Sequence, residues 1–136
     1  MTVPRYMLDT NICIYIRQKK PQAVLRRFEK LAAGDAVVSV VTYGELLYGV
    51  EKSADRKAGL RQLAELTSLL PVLPLPEDGG ETYGAIRALL ERRGEVIGNN
   101  DLWIAAHAKT ASLTLVTNNE SEFKRVPGLK VENWAR

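Results

Sequence analysis

Arg5-Tyr6-Met7-Leu8-Asp9-Thr10-Asn11 decides the fold. Four residues of strand character run straight into a carboxylate and two more helix-capping residue types. Apolar residues follow at Ile12, Ile14, Tyr15 and Ile16, so the segment reads as a strand that turns directly into a helix. The same joint recurs. Ala36 to Val41 is a continuous β-branched run, expected of a strand buried on both faces, and helix character resumes from Tyr43 to Glu51. Leu113 to Thr117 is a further strand, ending at Asn118-Asn119.

Between these joints the periodicity predicts helices over Gln22 to Ala33, stopped by Gly34, and over Asp55 to Leu70. Others are expected around Tyr83 to Leu90, ending at Gly94, and from Asn99 or Asn100 through His107. Pro71-Val72-Leu73-Pro74-Leu75 reads as a short strand whose prolines suit an edge. Leu129 to Glu132 is a last short one. Alternating strands and helices imply an α/β fold: a three-layer α/β/α sandwich around a mostly parallel sheet, with residues 1–136 as a single domain.

In such folds ligands bind at the carboxyl ends of the strands. Asp9 and Asn118-Asn119 fall there directly, and Glu45 follows the second strand by about one helical turn. Asp101 opens a later helix. Each acid has a bland reading as a cap or a first-turn acid favoured by the helix dipole. Together they bring Asp9, Glu45 and Asp101 to one end of the sheet. Three carboxylates crowded away from water raise each other's pKa unless a cation joins them. The natural occupant is a hard ion, Mg²⁺ or Mn²⁺, which takes oxygen ligands. That points to phosphate chemistry.

Composition narrows the alternatives. The chain has 136 residues, 46% hydrophobic and 26% charged, with a formal net charge of +3, which favours a polyanionic partner only weakly. A single cysteine, Cys13, excludes an intrachain disulfide and a cysteine zinc cage. A single histidine, His107, excludes ribonuclease chemistry that needs two imidazoles in one chain. His107 is expected to be a packed or hydrogen-bonded histidine, and Cys13 a small buried hydrophobe. Trp103 beside Asp101 is expected in packing before base stacking, and Trp134 is expected to close the domain. No apolar run approaches the ~20 residues that span a bilayer, and the N-terminus lacks the apolar segment of a signal peptide. A cytoplasmic protein without a membrane segment is therefore expected.

The ordered pattern Met-Leu-Asp-Thr-Asn, Gly-Glu-Leu-Leu-Tyr-Gly, Ile-Gly-Asn-Asn-Asp-Leu-Trp-Ile-Ala-Ala-His-Ala and Leu-Val-Thr-Asn-Asn, followed by Glu122-Phe123 and Val126-Pro127-Gly128-Leu129, resembles the PIN-domain family. More narrowly it resembles VapC-type toxins of bacterial toxin–antitoxin pairs, from about Tyr6 to Trp134. The resemblance implies a metal-dependent endoribonuclease that cleaves structured cellular RNA, tRNA or ribosomal RNA, and so inhibits translation. It implies a VapB-like antitoxin and a homodimer paired through helices, with Tyr83 to Leu90 as the contact. Asp9, Glu45 and Asp101 match the acidic metal ligands, and Thr10 and Asn11 match positions that support the first acid. The fourth acidic position of many relatives falls at Asn118 or Asn119, leaving Glu120 and Glu122 as nearby substitutes. Apolar residues of the leading helices (Ile12, Tyr15, Ile16, Val24 and Leu25) and the helix after Asp55 would form a groove for an antitoxin segment.

Two other readings compete. An aspartyl-phosphate phosphatase usually carries a second Asp two residues after the first, where this chain has Asn11. A non-catalytic RNA- or protein-binding module on the same scaffold would be marked by loss of the acids, and all three are present.

Overall fold

A computed structural model describes residues 3–136. Its elements alternate in chain order: β1 (Tyr6–Leu8), α1 (Thr10–Gln18), α2 (Gln22–Glu29), β2 (Ala36–Ser39), α3 (Val40–Glu51), α4 (Arg56–Leu69), β3 (Val72–Leu73), α5 (Asp78–Arg93), α6 (Asn99–Thr110), β4 (Thr114–Val116), α7 (Glu120–Phe123) and β5 (Val131–Glu132). The strands form one sheet in the order β3-β2-β1-β4-β5. Every pairing is parallel. The chain winds outward from β1 in both directions, so the sheet's switch point lies between β1 and β4.

Side-chain alternation along the strands divides the interior into two cores. Met7, Val37 and Leu115 face α5 and α6 with Ile86, Leu90, Leu102 and Phe123. Their neighbours Leu8, Val38 and Val116 face the opposite way, onto Ile12, Val24, Leu46, Leu63 and Leu66 of the first four helices. This is the expected three-layer arrangement. Trp134 is 1% exposed and meets Tyr6 edge-on at 5.3 Å, closing the second core.

Several boundaries differ from the sequence reading. β2 ends at Ser39 and not at Val41, because the Ser39 hydroxyl accepts from Val41 N–H at 3.1 Å and starts α3 at Val40. Local propensity of the two valines yields to that cap. α2 ends at Glu29. Residues 32–35 instead close a turn in which the Asp35 carboxylate accepts from Ala32 N–H at 2.9 Å, and Gly34 takes a positive φ of 90° within it. α5 starts at Asp78, well before Tyr83: Asp78 and Glu81 in its first turn offset the weak propensity of Gly79-Gly80. α6 is preceded by Gly98 and has no side-chain cap, so neither Asn99 nor Asn100 caps it. The short α7 was not expected. Its one buried residue, Phe123, is too little apolar signal among charges to reveal a helix.

Candidate active site

The switch point gathers the acids. Asp9 directly follows β1 and is 5% exposed. Its backbone N–H donates to Val116 O at 3.0 Å, which ties it to β4. Its carboxylate caps α1, accepting from Ile12 N–H at 3.0 Å. The capping role and a place at the centre of the site therefore coincide in one side chain. Burial pushes the Asp9 carboxyl up; the Thr117 hydroxyl and the Ile12 N–H pull it down, and the Glu45 charge raises it again.

Thr117 is the residue that sequence reasoning passed over. Leu8 pairs with Val116, so the next residues, Asp9 and Thr117, leave their strands side by side. The sequence showed only a hydroxyl at a strand end; its place beside the first acid follows from the register of β1 against β4. Thr117 is fully buried, and its Oγ1 also accepts from Asn119 N–H at 2.9 Å.

Glu45 reaches the site from α3 and is held by Thr10, whose hydroxyl donates to its Oε1 at 2.6 Å. Asp101, in the first turn of α6, comes from the other side. Its carboxyl is pushed up to about 7, first by burial and then by the charges of Glu122, Glu45 and Asp9. All four acids thus share one field. Among the described residues no three of them stand close enough to make a ready-built metal cage. The donor set is nonetheless all oxygen and all acidic, the chemistry a hard divalent cation takes.

The structure separates the candidates for the fourth corner. Glu122 lies against Asp101; its Oε1 accepts from Gly98 N–H at 3.3 Å and its Oε2 from the Asn119 amide. Glu120 faces elsewhere, accepting from Asn133 Nδ2 at 3.0 Å and pairing with Arg136 and Lys124, contacts that hold its carboxyl below the usual range. Asn118 also turns away. Its amide donates to Tyr15 Oη at 3.2 Å, and its carbonyl accepts from Asn133 at 3.0 Å. Asn11 is exposed, and contributes a backbone N–H to Asp9.

His107 is buried, with Nδ1 2.8 Å from Ser39 Oγ. It joins α6, which carries Asp101, to the cap of α3, which carries Glu45. Cys13 is fully buried, and burial pushes its thiol up, so it is an inert hydrophobe.

A family model described as PIN domain matches residues 6–129. The chain belongs to the PIN-domain family. Within it, this PIN domain groups with the VapC ribonucleases. It is 43% identical to Ribonuclease VapC2 of Rickettsia felis over 130 residues, covering 95% of this chain and 97% of the relative. It is 42% identical to the tRNA(fMet)-specific endonuclease VapC of Shigella flexneri, covering 96% and 98%. Among solved structures, DNA-bound VapBC from Salmonella typhimurium superposes on this PIN domain with a TM-score of 0.91 at 39% identity, covering 97% of this chain and 99% of that one.

Proposed function

We propose that this PIN domain is a metal-dependent endoribonuclease, the toxin of a toxin–antitoxin pair, and that its substrate is structured RNA of the tRNA class. One observation carries the reading: Asp9 ends β1 and caps α1, Thr10 of that helix holds Glu45, and Glu122 accepts from Gly98 N–H at the start of the helix that carries Asp101. The names of relatives support it, since VapC proteins of Shigella flexneri and Salmonella typhimurium are called tRNA(fMet)-specific endonucleases.

Asp9, Glu45, Asp101 and Glu122 would hold Mg²⁺ or Mn²⁺, which when bound supplies Lewis acidity to the scissile phosphate and polarises water. The chain's own part is orientation. The Ile12 N–H and the Thr117 hydroxyl fix Asp9; Thr10 aims Glu45; Asn119 and the Gly98 N–H hold Glu122 beside Asp101. Ligands locked by such contacts need no reorganisation when RNA arrives.

The partner would be a VapB-like antitoxin. A groove lined by Ile16, Leu25 and Phe28 on one side and Leu66 and Leu69 on the other runs between the leading helices and α4. Of the apolar residues expected there, Ile12 and Val24 are wholly buried and belong to the core. A second copy would pair through the Tyr83 to Leu90 stretch of α5, whose Ala85 and Leu89 line a surface cleft. No helix among the described residues is long and apolar enough to cross a membrane.

Purified, antitoxin-free protein incubated with total RNA in Mg²⁺ or Mn²⁺ tests the reading. Discrete cuts in tRNA, lost with EDTA, are expected. RNA binding without cleavage in either ion would overturn it in favour of a non-catalytic binding module.

A further inference from the structure

Residues 94–98 join α5 to α6 and deliver Asp101 to the site. Ile97 anchors this connection in the first core. Two bonds from the far side of the site hold its backbone. The Gly98 N–H donates to Glu122 Oε1 at 3.3 Å, and Arg125 Nη1 donates to Val96 O at 3.1 Å. Gly98 then starts α6, its carbonyl accepting from Leu102 N–H at 2.9 Å. A Cβ added to Gly98 would stand 3.6 Å from Asp101 Oδ2, so the Asp101 carboxylate lies beside the same peptide that Glu122 holds. Glu122 and Arg125 belong to one turn, in which the Arg125 N–H donates to Glu122 O at 3.2 Å. Phe123 and Val126 seat that turn in the core that also takes Ile97.

Stability alone is a weak account of the Arg125 bond. Val96 is 56% exposed, and one hydrogen bond at the surface contributes little to the fold. Arg125 also stands three residues after Glu122, the helical spacing at which a cation pairs with an acid. Among the described residues it nevertheless makes no ion pair. Its guanidinium goes to a neutral carbonyl instead. Glu122 is thereby left un-neutralised by its own neighbour, and its charge acts on Asp101. The backbone entering α6 is held at Val96 and at Gly98 by the turn that carries Glu122. The two acids are therefore placed relative to each other by bonds that neither carboxyl of Asp101 nor the guanidinium of Arg125 makes directly with the other.

We infer that Arg125 is a positioning residue for the acidic site: by holding Val96 O it fixes the entry of α6, and so keeps Asp101 in place against Glu122. The inference rests on the endoribonuclease reading and deepens it, naming a residue outside the acids on which cation binding depends. Arg125 is neither a ligand nor a contact of RNA. Its effect passes through the backbone, from Val96 to Gly98, whose N–H meets Glu122 and whose Cα lies beside Asp101. Without the Arg125 bond, the Gly98 N–H and the Ile97 side chain hold the connection alone. Two like charges then move apart until a cation draws them together. Part of the cation's binding energy goes into that reordering, and its affinity falls.

Two variants of the full chain test it. Arg125→Met keeps the apolar stem and loses every donor; Arg125→Lys keeps a charged donor. Each is compared with wild type by amide hydrogen exchange at Gly98, by calorimetric titration with Mn²⁺ in the absence of RNA, and by tRNA cleavage. In Arg125→Met the Gly98 amide should exchange about fivefold to tenfold faster without metal. Mn²⁺ should bind roughly tenfold more weakly, and kcat at limiting Mn²⁺ should fall while KM for RNA stays unchanged. Arg125→Lys should recover most of the Gly98 protection and of the Mn²⁺ affinity. Unchanged Gly98 exchange together with unchanged Mn²⁺ affinity in Arg125→Met overturns the inference. So does a raised KM, with RNA binding whose salt slope is lower by about one and Mn²⁺ affinity intact, because Arg125 would then be a phosphate contact. Failure of wild type to cleave RNA strikes the endoribonuclease reading alone, since Gly98 exchange and Mn²⁺ affinity still decide the role of Arg125.

Discussion

The two halves of the acidic site are built by opposite means. Asp9 and Glu45 are clamped by donors: a backbone N–H and a buried hydroxyl hold the first, and Thr10 holds the second. Asp101 has other acids as its charged neighbours, and burial first, then the charges of Glu122, Glu45 and Asp9, push its carboxyl up to about 7. One half is stabilised by the fold itself. The other carries uncompensated repulsion that a cation would relieve. Ligand charge should therefore matter to chemistry in both halves, whereas removing charge should change stability differently in each.

Asp9→Asn is the strongest way to break this picture. Asparagine caps a helix about as well as aspartate, so the melting temperature in EDTA should stay close to wild type. Cleavage of tRNA should fall by roughly a thousandfold or more, since several kcal/mol of charge stabilisation goes with the ligand. Near-normal kcat in this variant would remove Asp9 from the site.

Glu122→Gln and Glu120→Gln sharpen the comparison from the repulsive side. Glu122 lies against Asp101, whereas Glu120 is bound to Asn133, Arg136 and Lys124. Glu122→Gln should cut activity about 10- to 100-fold yet raise the melting temperature in EDTA, because a like charge is gone. Glu120→Gln should leave activity nearly unchanged. Equal loss in the two would mean that α7 matters as a whole and not through one carboxylate.

How far these contrasts were legible in the sequence depends on the kind of signal. The strand-to-helix joint at Asp9 and the strand end before Asn118 are local and showed plainly, as did the parallel order that follows from alternation. Glu122 was visible only as one of two choices, because α7 has a single buried residue, Phe123, and no period to fix which face points inward. Thr117 needed the register of β1 against β4, which no local pattern carries. Trp103 stacks on Tyr83 at 3.8 Å, a pairing that depends on how α5 crosses α6, a tertiary fact. The start of α3 at Val40 was hidden because two valines look like strand until the Ser39 cap is seen.

His107 couples the halves at a distance from the acids. Burial lowers its pKa from 6.5, so the folded protein holds it neutral while the unfolded chain takes up a proton below that pH. Stability from this group is present above about pH 6.5 and is lost as pH falls. His107→Gln should flatten that dependence in denaturant titrations between pH 5 and 7. His107→Leu removes the imidazole partner of the Ser39 hydroxyl, which keeps only the Val41 N–H, and should cost about 1–3 kcal/mol at pH 7.5. An unchanged pH slope in His107→Gln would mean that other groups set it.

Thr10→Val is the smallest and most selective probe. Valine keeps the shape of threonine and deletes only the hydroxyl that donates to Glu45 at 2.6 Å. Thr10 is part-buried, so the lost hydrogen bond should lower stability by only about 1 kcal/mol. Its effect on catalysis depends on whether Glu45 needs aiming. If Thr10 presets Glu45 as the Ile12 N–H presets Asp9, kcat should drop a few-fold to tenfold, and the divalent-ion concentration for half-maximal rate should rise. That increase is the decisive reading, since a purely structural loss would lower the melting temperature without moving the ion dependence. An unchanged ion dependence would place Glu45 with Asp101, as an acid positioned by the cation rather than by the fold.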